Sequence, residues 1–285
     1  MRSLRYEVVD VFTDRPFTGN PLAVVFDADD LSRDQMQAIA REFHLSETVF
    51  VLPPTVDGAT YRVRIFTPTE ELPFAGHPSI GAAVTQMRRG ILKPGRVLQE
   101  CGAGLLPVEV SGDGRAVLTG GTATLGPVLD PQPLLDAVAL NADDLAGPPP
   151  RIAGCGLDYP YLLVTAAALD RAMAPRSGLA EICLAAWDAE SRVAHMRVFA
   201  PGSGVVEDPA TGSAALGLGV FLLGSGLLPA TGESSYVVHQ GEQLGRPSVL
   251  DCTVSAVDGQ VERVTVAGSV VPIARGEIAI PPFIG

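Results

Sequence analysis

The sequence has few cysteines and few histidines, and neither set is arranged to hold a metal. Cys101, Cys155, Cys183 and Cys252 stand far apart with no CxxC pair, and His44, His77, His195 and His239 show no ligand spacing. No zinc site is expected, and the thiols read as buried free cysteines in a reducing cytoplasm. There is no GxxxxGK phosphate loop and no GxGxxG after a strand, and the "GCG" at 154–156 is too short to stand for either. There is no GxSxG elbow, which leaves a serine hydrolase unsupported. Positive charge is also in deficit: 20 Lys and Arg against 32 Asp and Glu give a net charge of -12, no footprint for nucleic acid or an anionic membrane. The greasiest run, Ser213 to Leu228, holds 16 residues and four glycines, too short to span a bilayer comfortably. It reads as a helix buried inside the protein. The opening "MRSLRYEVVDVF" alternates like a strand and carries no signal-peptide core, so a cytoplasmic protein is expected.

What is present is a globular composition, 47% hydrophobic and 18% charged over 285 residues, enough for one large domain or two ordinary ones. "YEVVDVF" and "LAVVF" read as strands joined by the turn cluster "TDRPFTGNP". Ser32 opens a helix, with Gln35 completing a capping box and Met36, Ile39 and Phe43 on one face. "ETVFVL" and "YRVRIF" follow as strands. Then comes "LPFAGHPSIGAA", a polar, glycine-bearing entrance to an apolar segment, and "VEDPATGSAALGLG" repeats the idea downstream. "RIFTP" (64–68) matches "RVFAP" (197–201) at an offset of 133, and Pro73, Gly76 and Gly81 match Pro209, Gly212 and Gly217 at 136. The pattern predicts an internal duplication, with halves 1–123 and 124–285 joined at the Pro-rich Thr124 to Pro133 and the last strands free to return to the first half. Each half is expected to be a curved, mostly antiparallel sheet around one apolar helix. The two helix N-termini are expected to face one cleft, where unpaired N–H groups and the helix dipoles favour an anion, most simply a carboxylate.

Proton transfer without a cofactor is the chemistry left to the acids, the histidine and the hydroxyls near these entrances. Each candidate also has a plain structural reading. Glu47 fits an exposed carboxylate at a strand edge, and His77 a loop residue satisfying a helix end. Asp208 and Ser213 fit helix caps, and Glu70 and Glu71 solvated loop charges.

The stretches "GNPLAVVFDADDLSRDQMQAIAREFHLSETVFVL", "RIFTPTEELPFAGHPSIGAA", "RVFAPGSGVVEDPATGSAALG" and "GEQLGRPSVL" together resemble the phenazine-biosynthesis PhzF-like isomerase family, in order through both halves. The resemblance implies an α+β, diaminopimelate-epimerase-like fold of two pseudo-symmetric halves, each a curved β-barrel wrapped around a central apolar helix, with the active site between. It implies a proton shift like that on trans-2,3-dihydro-3-hydroxyanthranilate, with no cofactor and no metal. Glu47 matches the glutamate of the family's "SET", and His77, Asp208 and Ser213 match its "GHP"-type and "EDPATGS" motifs. Gly76 and Gly212 are expected to bring backbone N–H groups to a small-molecule carboxylate substrate. A homodimer is what the family suggests. "GCGLDYPYLLV" and the Ala267-Gly268 pair depart from the family pattern and put the substrate in doubt. An amino-acid epimerase on the same fold is the alternative; its two-thiol form would need cysteines where His77 and Ser213 stand. A non-catalytic ligand-binding relative is the third reading.

Overall fold

The structure, a computed structural model, describes residues 2–175 and 179–282. It divides into two compact units, residues 1–118 with 267–285, and residues 119–266. The first unit contains β1 (Ser3–Val11), β2 (Asn20–Val25), α1 (Arg33–Phe43), β3 (Glu47–Leu52), β4 (Tyr61–Phe66), β5 (Glu71–Leu72), α2 (Gly76–Arg88), β6 (Gly95–Cys101), β7 (Gly104–Val110) and β8 (Arg115–Thr119). Strands β2 and β3 pair in parallel, as do β4 and β6, while the other pairs from β1 to β8 are antiparallel. A parallel pair needs a crossover. Helix α1 supplies the first, opened by the expected capping box between Ser32 and Gln35. It packs Met36, Ile39 and Ala40 against Phe50 and Phe66, with Phe43 edge-on to Tyr6.

Helix α2 supplies the second crossover and is enclosed: every residue from Gly76 to Gln86 is buried. Its polar side chains are buried with it: Ser79, Thr85 and Gln86 donate to the carbonyls of Ala75, Gly81 and Ala82. At Gly81 a Cβ would run into Leu22 of β2, so glycine here sets how closely helix and sheet approach.

The second unit contains β9 (Ala123–Val128), α3 (Pro131–Ala137), β10 (Arg151–Cys155), β11 (Asp158–Leu163), α4 (Ala166–Arg171), β12 (Ile182–Asp188), β13 (Val193–Ala200), β14 (Val205–Asp208), α5 (Gly212–Gly224), β15 (Gly232–Gln240), β16 (Ser248–Val257) and β17 (Gln260–Ala279). From β10 to β16 the order of parallel and antiparallel pairs repeats that of β1 to β7. Helix α5 takes the place of α2, buried from Gly212 to Leu223. Tyr161 and Tyr236 donate to the carbonyls of Ala214 and Ala215 at 2.7 Å each. Side chains at Gly217 or Gly219 would collide with those two hydroxyls.

The chain passes from one unit to the other at Leu118–Thr119, and the Pro-rich 124–133 stretch forms β9 and the start of α3 within the second unit. Strand β17 begins in the second unit and ends in the first, where it pairs with β1 from Val11↔Val270 to Ser3↔Ala279.

The duplication extends to side chains. Arg64 grips Glu71 through Nε and Nη2 at 2.6 and 2.7 Å, and its guanidinium lies 5.3 Å from the Phe66 ring centroid. Arg197 grips Glu207 through the same atoms at 2.8 Å each and lies 4.9 Å from Phe199. Each clamp ties the strand before an entrance to the short strand leading into it. Glu71 is therefore an ion-pair partner and not a solvated loop charge. Its carboxyl is held below the usual range, first by the hydrogen bonds from Arg64.

Candidate active site

In the first unit the site is built on the start of α2. Ala75 precedes the helix in extended conformation and no side chain caps it. Gly76 and His77 are its first two residues and Pro78, which has no N–H, is the third. Glycine at the first helical position leaves no side chain over the N–H groups there, which carry the positive end of the dipole. His77 is 3% exposed. Its Nδ1 faces Asn20 Nδ2 at 3.3 Å, and its Nε2 faces Glu47 Oε2 at 3.4 Å. Burial pushes the imidazole down to about 3, so it is neutral at physiological pH.

Glu47 begins β3, three residues after the left-handed His44 closes α1, with Leu45 and Ser46 as the link between them. Its side chain is 15% exposed and lies beside His77. The exposed-edge reading is thereby replaced: the strand start turns this carboxylate toward the helix entrance.

In the second unit the equivalent helix start is also uncapped, with Thr211 before it and Gly212 and Ser213 as the first two residues. Ser213 is not a cap. It lies inside the helix, and its Oγ is 2.8 Å from the Tyr159 hydroxyl. Asp208 ends β14 and is buried. Its Oδ2 accepts from the Thr211 hydroxyl at 2.6 Å, which orients the carboxylate without capping the helix. Gln240 fixes the same turn: Nε2 donates to Asp208 O at 2.7 Å and Oε1 accepts from Thr211 N at 3.0 Å.

Each unit thus gathers its own predicted residues at one helix start, Glu47, Gly76 and His77 in the first, Asp208, Gly212 and Ser213 in the second. His77 and Ser213 occupy the same helical position. Asn20, Tyr159, Thr211 and Gln240 were not singled out from the sequence. Asn20 lies in the "GNP" turn, and nothing local distinguishes a turn asparagine from one that binds a histidine 57 residues on.

All four cysteines are free thiols. Burial pushes Cys155 up to about 11 and Cys183 and Cys252 well above their ordinary value, so these three stay protonated. Among the described residues no cluster of three or more His, Cys, Asp or Glu side chains is placed to hold a metal ion. No helix among them is long and apolar enough to cross a membrane.

The sequence profile of the phenazine biosynthesis-like proteins, PhzC-PhzF, matches residues 9–276. The chain belongs to this family. The trans-2,3-dihydro-3-hydroxyanthranilate isomerase of Pseudomonas aeruginosa is 36% identical over 280 residues, 95% of this chain and 98% of that protein. An uncharacterized isomerase of Pasteurella multocida is 36% identical over 288 residues, 97% of this chain and 94% of its own. Among solved structures, a PhzF-family protein of Bacillus anthracis superposes with a TM-score of 0.88 at 25% identity, covering 98% of this chain and 100% of the other. A predicted epimerase of P. aeruginosa gives 0.82 at 38% identity, covering 96% and 99%. A hydroxyproline epimerase of Agrobacterium vitis shares the fold at 14% identity and a TM-score of 0.67, covering 98% and 93%. The fold is α+β, of the diaminopimelate-epimerase type, and the enzyme is an isomerase of the PhzF family.

Proposed function

We propose that the enzyme moves a proton between two carbons of a small amino or hydroxy acid, similar to trans-2,3-dihydro-3-hydroxyanthranilate, with no cofactor and no metal. The observation that carries this is the partly buried Glu47 carboxylate set 3.4 Å from a buried, neutral His77 at an uncapped helix start. Glu47 takes the proton from an acidified C–H, the electron pair moves along the allylic system, and Glu47 returns the proton at the far carbon. The atoms balance without an oxidant or a second reactant. Within the first unit the N–H at Gly76 is the group suited to the substrate carboxylate, and within the second unit Gly212 and Ser213 offer the same kind of donors. Asp208 accepts from the amine.

The decisive experiment is incubation in deuterated water with a panel of amino and hydroxy acids, including trans-2,3-dihydro-3-hydroxyanthranilate, following isomer formation and label at each carbon. Glu47→Gln keeps the shape but cannot accept a proton at neutral pH. Turnover is expected to fall by roughly 10²–10⁴-fold while an analogue still binds. Near-normal turnover would remove Glu47 from the role. The reading also carries a cytoplasmic homodimer: free thiols fit a reducing compartment, and light scattering tests the dimer.

A second reading has one observation in its favour. Thr48 pairs with Phe66, and Ile182 pairs with Phe199, the repeat's counterpart of Phe66. The residue standing where Glu47 stands is therefore Glu181, whose charge acts on Tyr159 and Cys183. In a two-base epimerase Glu181 is the second base, and Glu181→Gln abolishes inversion of the substrate's stereocentre. With Glu47 as sole shuttle, that variant retains turnover.

A further inference from the structure

We propose that Asn20 is a positioning residue that selects the tautomer of His77, holding the ring's single proton on Nε2, where it faces Glu47. Asn20 Nδ2 lies 3.3 Å from His77 Nδ1. An amide nitrogen only donates, and a neutral imidazole has one accepting nitrogen. The contact therefore makes Nδ1 the acceptor and leaves the proton on Nε2, which lies 3.4 Å from Glu47 Oε2. The groups that meet the ring are thus a donor on one side and a carboxylate on the other.

The backbone fixes Asn20 firmly enough for this task. It is the first residue of β2, paired with Val11 of β1, and it is 0% exposed. Gly19 before it turns the chain at φ +69°, where a side chain would run into the Val11 carbonyl. The ring is fixed from the other side as the second residue of an enclosed helix.

The tautomer decides what His77 does. With Nδ1 occupied and Nε2 protonated, the imidazole has no free lone pair and cannot take a proton from Glu47. Its Nε2–H faces the carboxylate across 3.4 Å and so presents it with a donor rather than a second base. The proton removed from substrate therefore stays on Glu47 until it is returned. This consequence rests on the proposed role of Glu47; the tautomer does not.

The test is nuclear magnetic resonance of protein labelled with ¹⁵N and ¹³C in its four histidines, with His77→Asn used to assign the ring. In the wild-type protein the His77 pattern of an Nε2–H tautomer is expected, and an Nδ1–H pattern overturns the proposal without any variant at Asn20. Asn20→Asp replaces the donor by an acceptor of the same shape. A proton appearing on Nδ1, alone or in addition to Nε2, is expected; an Nδ1 that stays unprotonated overturns the role of Asn20. The outcome is independent of activity. An Nε2–H tautomer together with full turnover in Glu47→Gln would sink the proposed function and leave the tautomer standing.

Discussion

His77 separates a binding residue from a relay. As a donor with no free lone pair, it positions, and His77→Asn is expected to reduce turnover and analogue affinity by similar factors. A relay would cost turnover far more than affinity. The same residue leaves a mark on stability. Its folded pKa is depressed by burial to about 3, below the ordinary value of about 6.5. Between those values the unfolded chain binds a proton that the folded protein refuses, so stability falls as pH drops through that window and is unaffected above it. The slope approaches about 1.4 kcal/mol per pH unit at most. Urea unfolding at pH 7, 6, 5 and 4 should show a flatter loss for His77→Asn than for the wild type. Parallel curves would mean that the ring is protonated in the native state. Residue identity alone conveyed none of this. The motif marked His77 as a candidate, but its chemistry comes from Asn20 and Glu47, which only the fold brings to it.

At the scale of elements, the repeat was legible because glycine and proline punctuate it at fixed offsets, while the clamps beside them were not. Glu71 read as a loop charge because its partner Arg64 belongs to the preceding strand, and charge alternation in "YRVRIF" looks like any half-exposed strand. The two clamps share atoms and geometry but differ in burial. The Arg197–Glu207 side chains are 9% and 10% exposed, against 26% and 25% for Arg64–Glu71. Arg197 also donates to the carbonyls of Leu169 and Ala172 at 3.0 and 2.8 Å. Arg197→Met strands a buried carboxylate and two carbonyls and is expected to cost about 3–5 kcal/mol. Arg64→Met leaves Glu71 near water and beside Arg33, 3.0 Å away, and should cost about 1 kcal/mol. Equal losses in denaturant titrations would show that burial does not govern the pair. The enclosed helix α5 is the easiest element to anticipate, since a segment as small and apolar as "GSAALGLGVFLL" has no face to offer water, whereas α3 begins in a stretch that reads as a Pro-rich join and the six-residue α4 leaves no clear signal.

At the scale of the whole chain, the sequence order of the two units is not their structural order. The residues that return to the first unit, "AGSVVPIARGEIA", lie within one continuous strand, so no turn marks where β17 leaves one unit for the other. The return is structural in consequence. Ser269 O accepts from Phe12 N at 2.9 Å, Val270 N donates to Gly114 O at 3.1 Å, and Pro281 O accepts from Gln35 Nε2 at 2.9 Å. One segment thus holds β1, the end of β7's hairpin and α1. Without it, β1 from Ser3 to Val11 becomes an open edge and the wall around α2 loses a strand. The second unit, residues 119–266, keeps its own helix and its own cluster of Leu134, Leu162, Leu169 and Phe199. A chain ending at Val266 is therefore expected to fail in one unit only. Hydrogen exchange should show α2 and β1 unprotected while α5 and β13 stay protected, and isomerisation should be lost because Glu47 and His77 lie in the failed unit. Retained protection of α2 in the truncated chain would mean that the first unit closes without its returning strand.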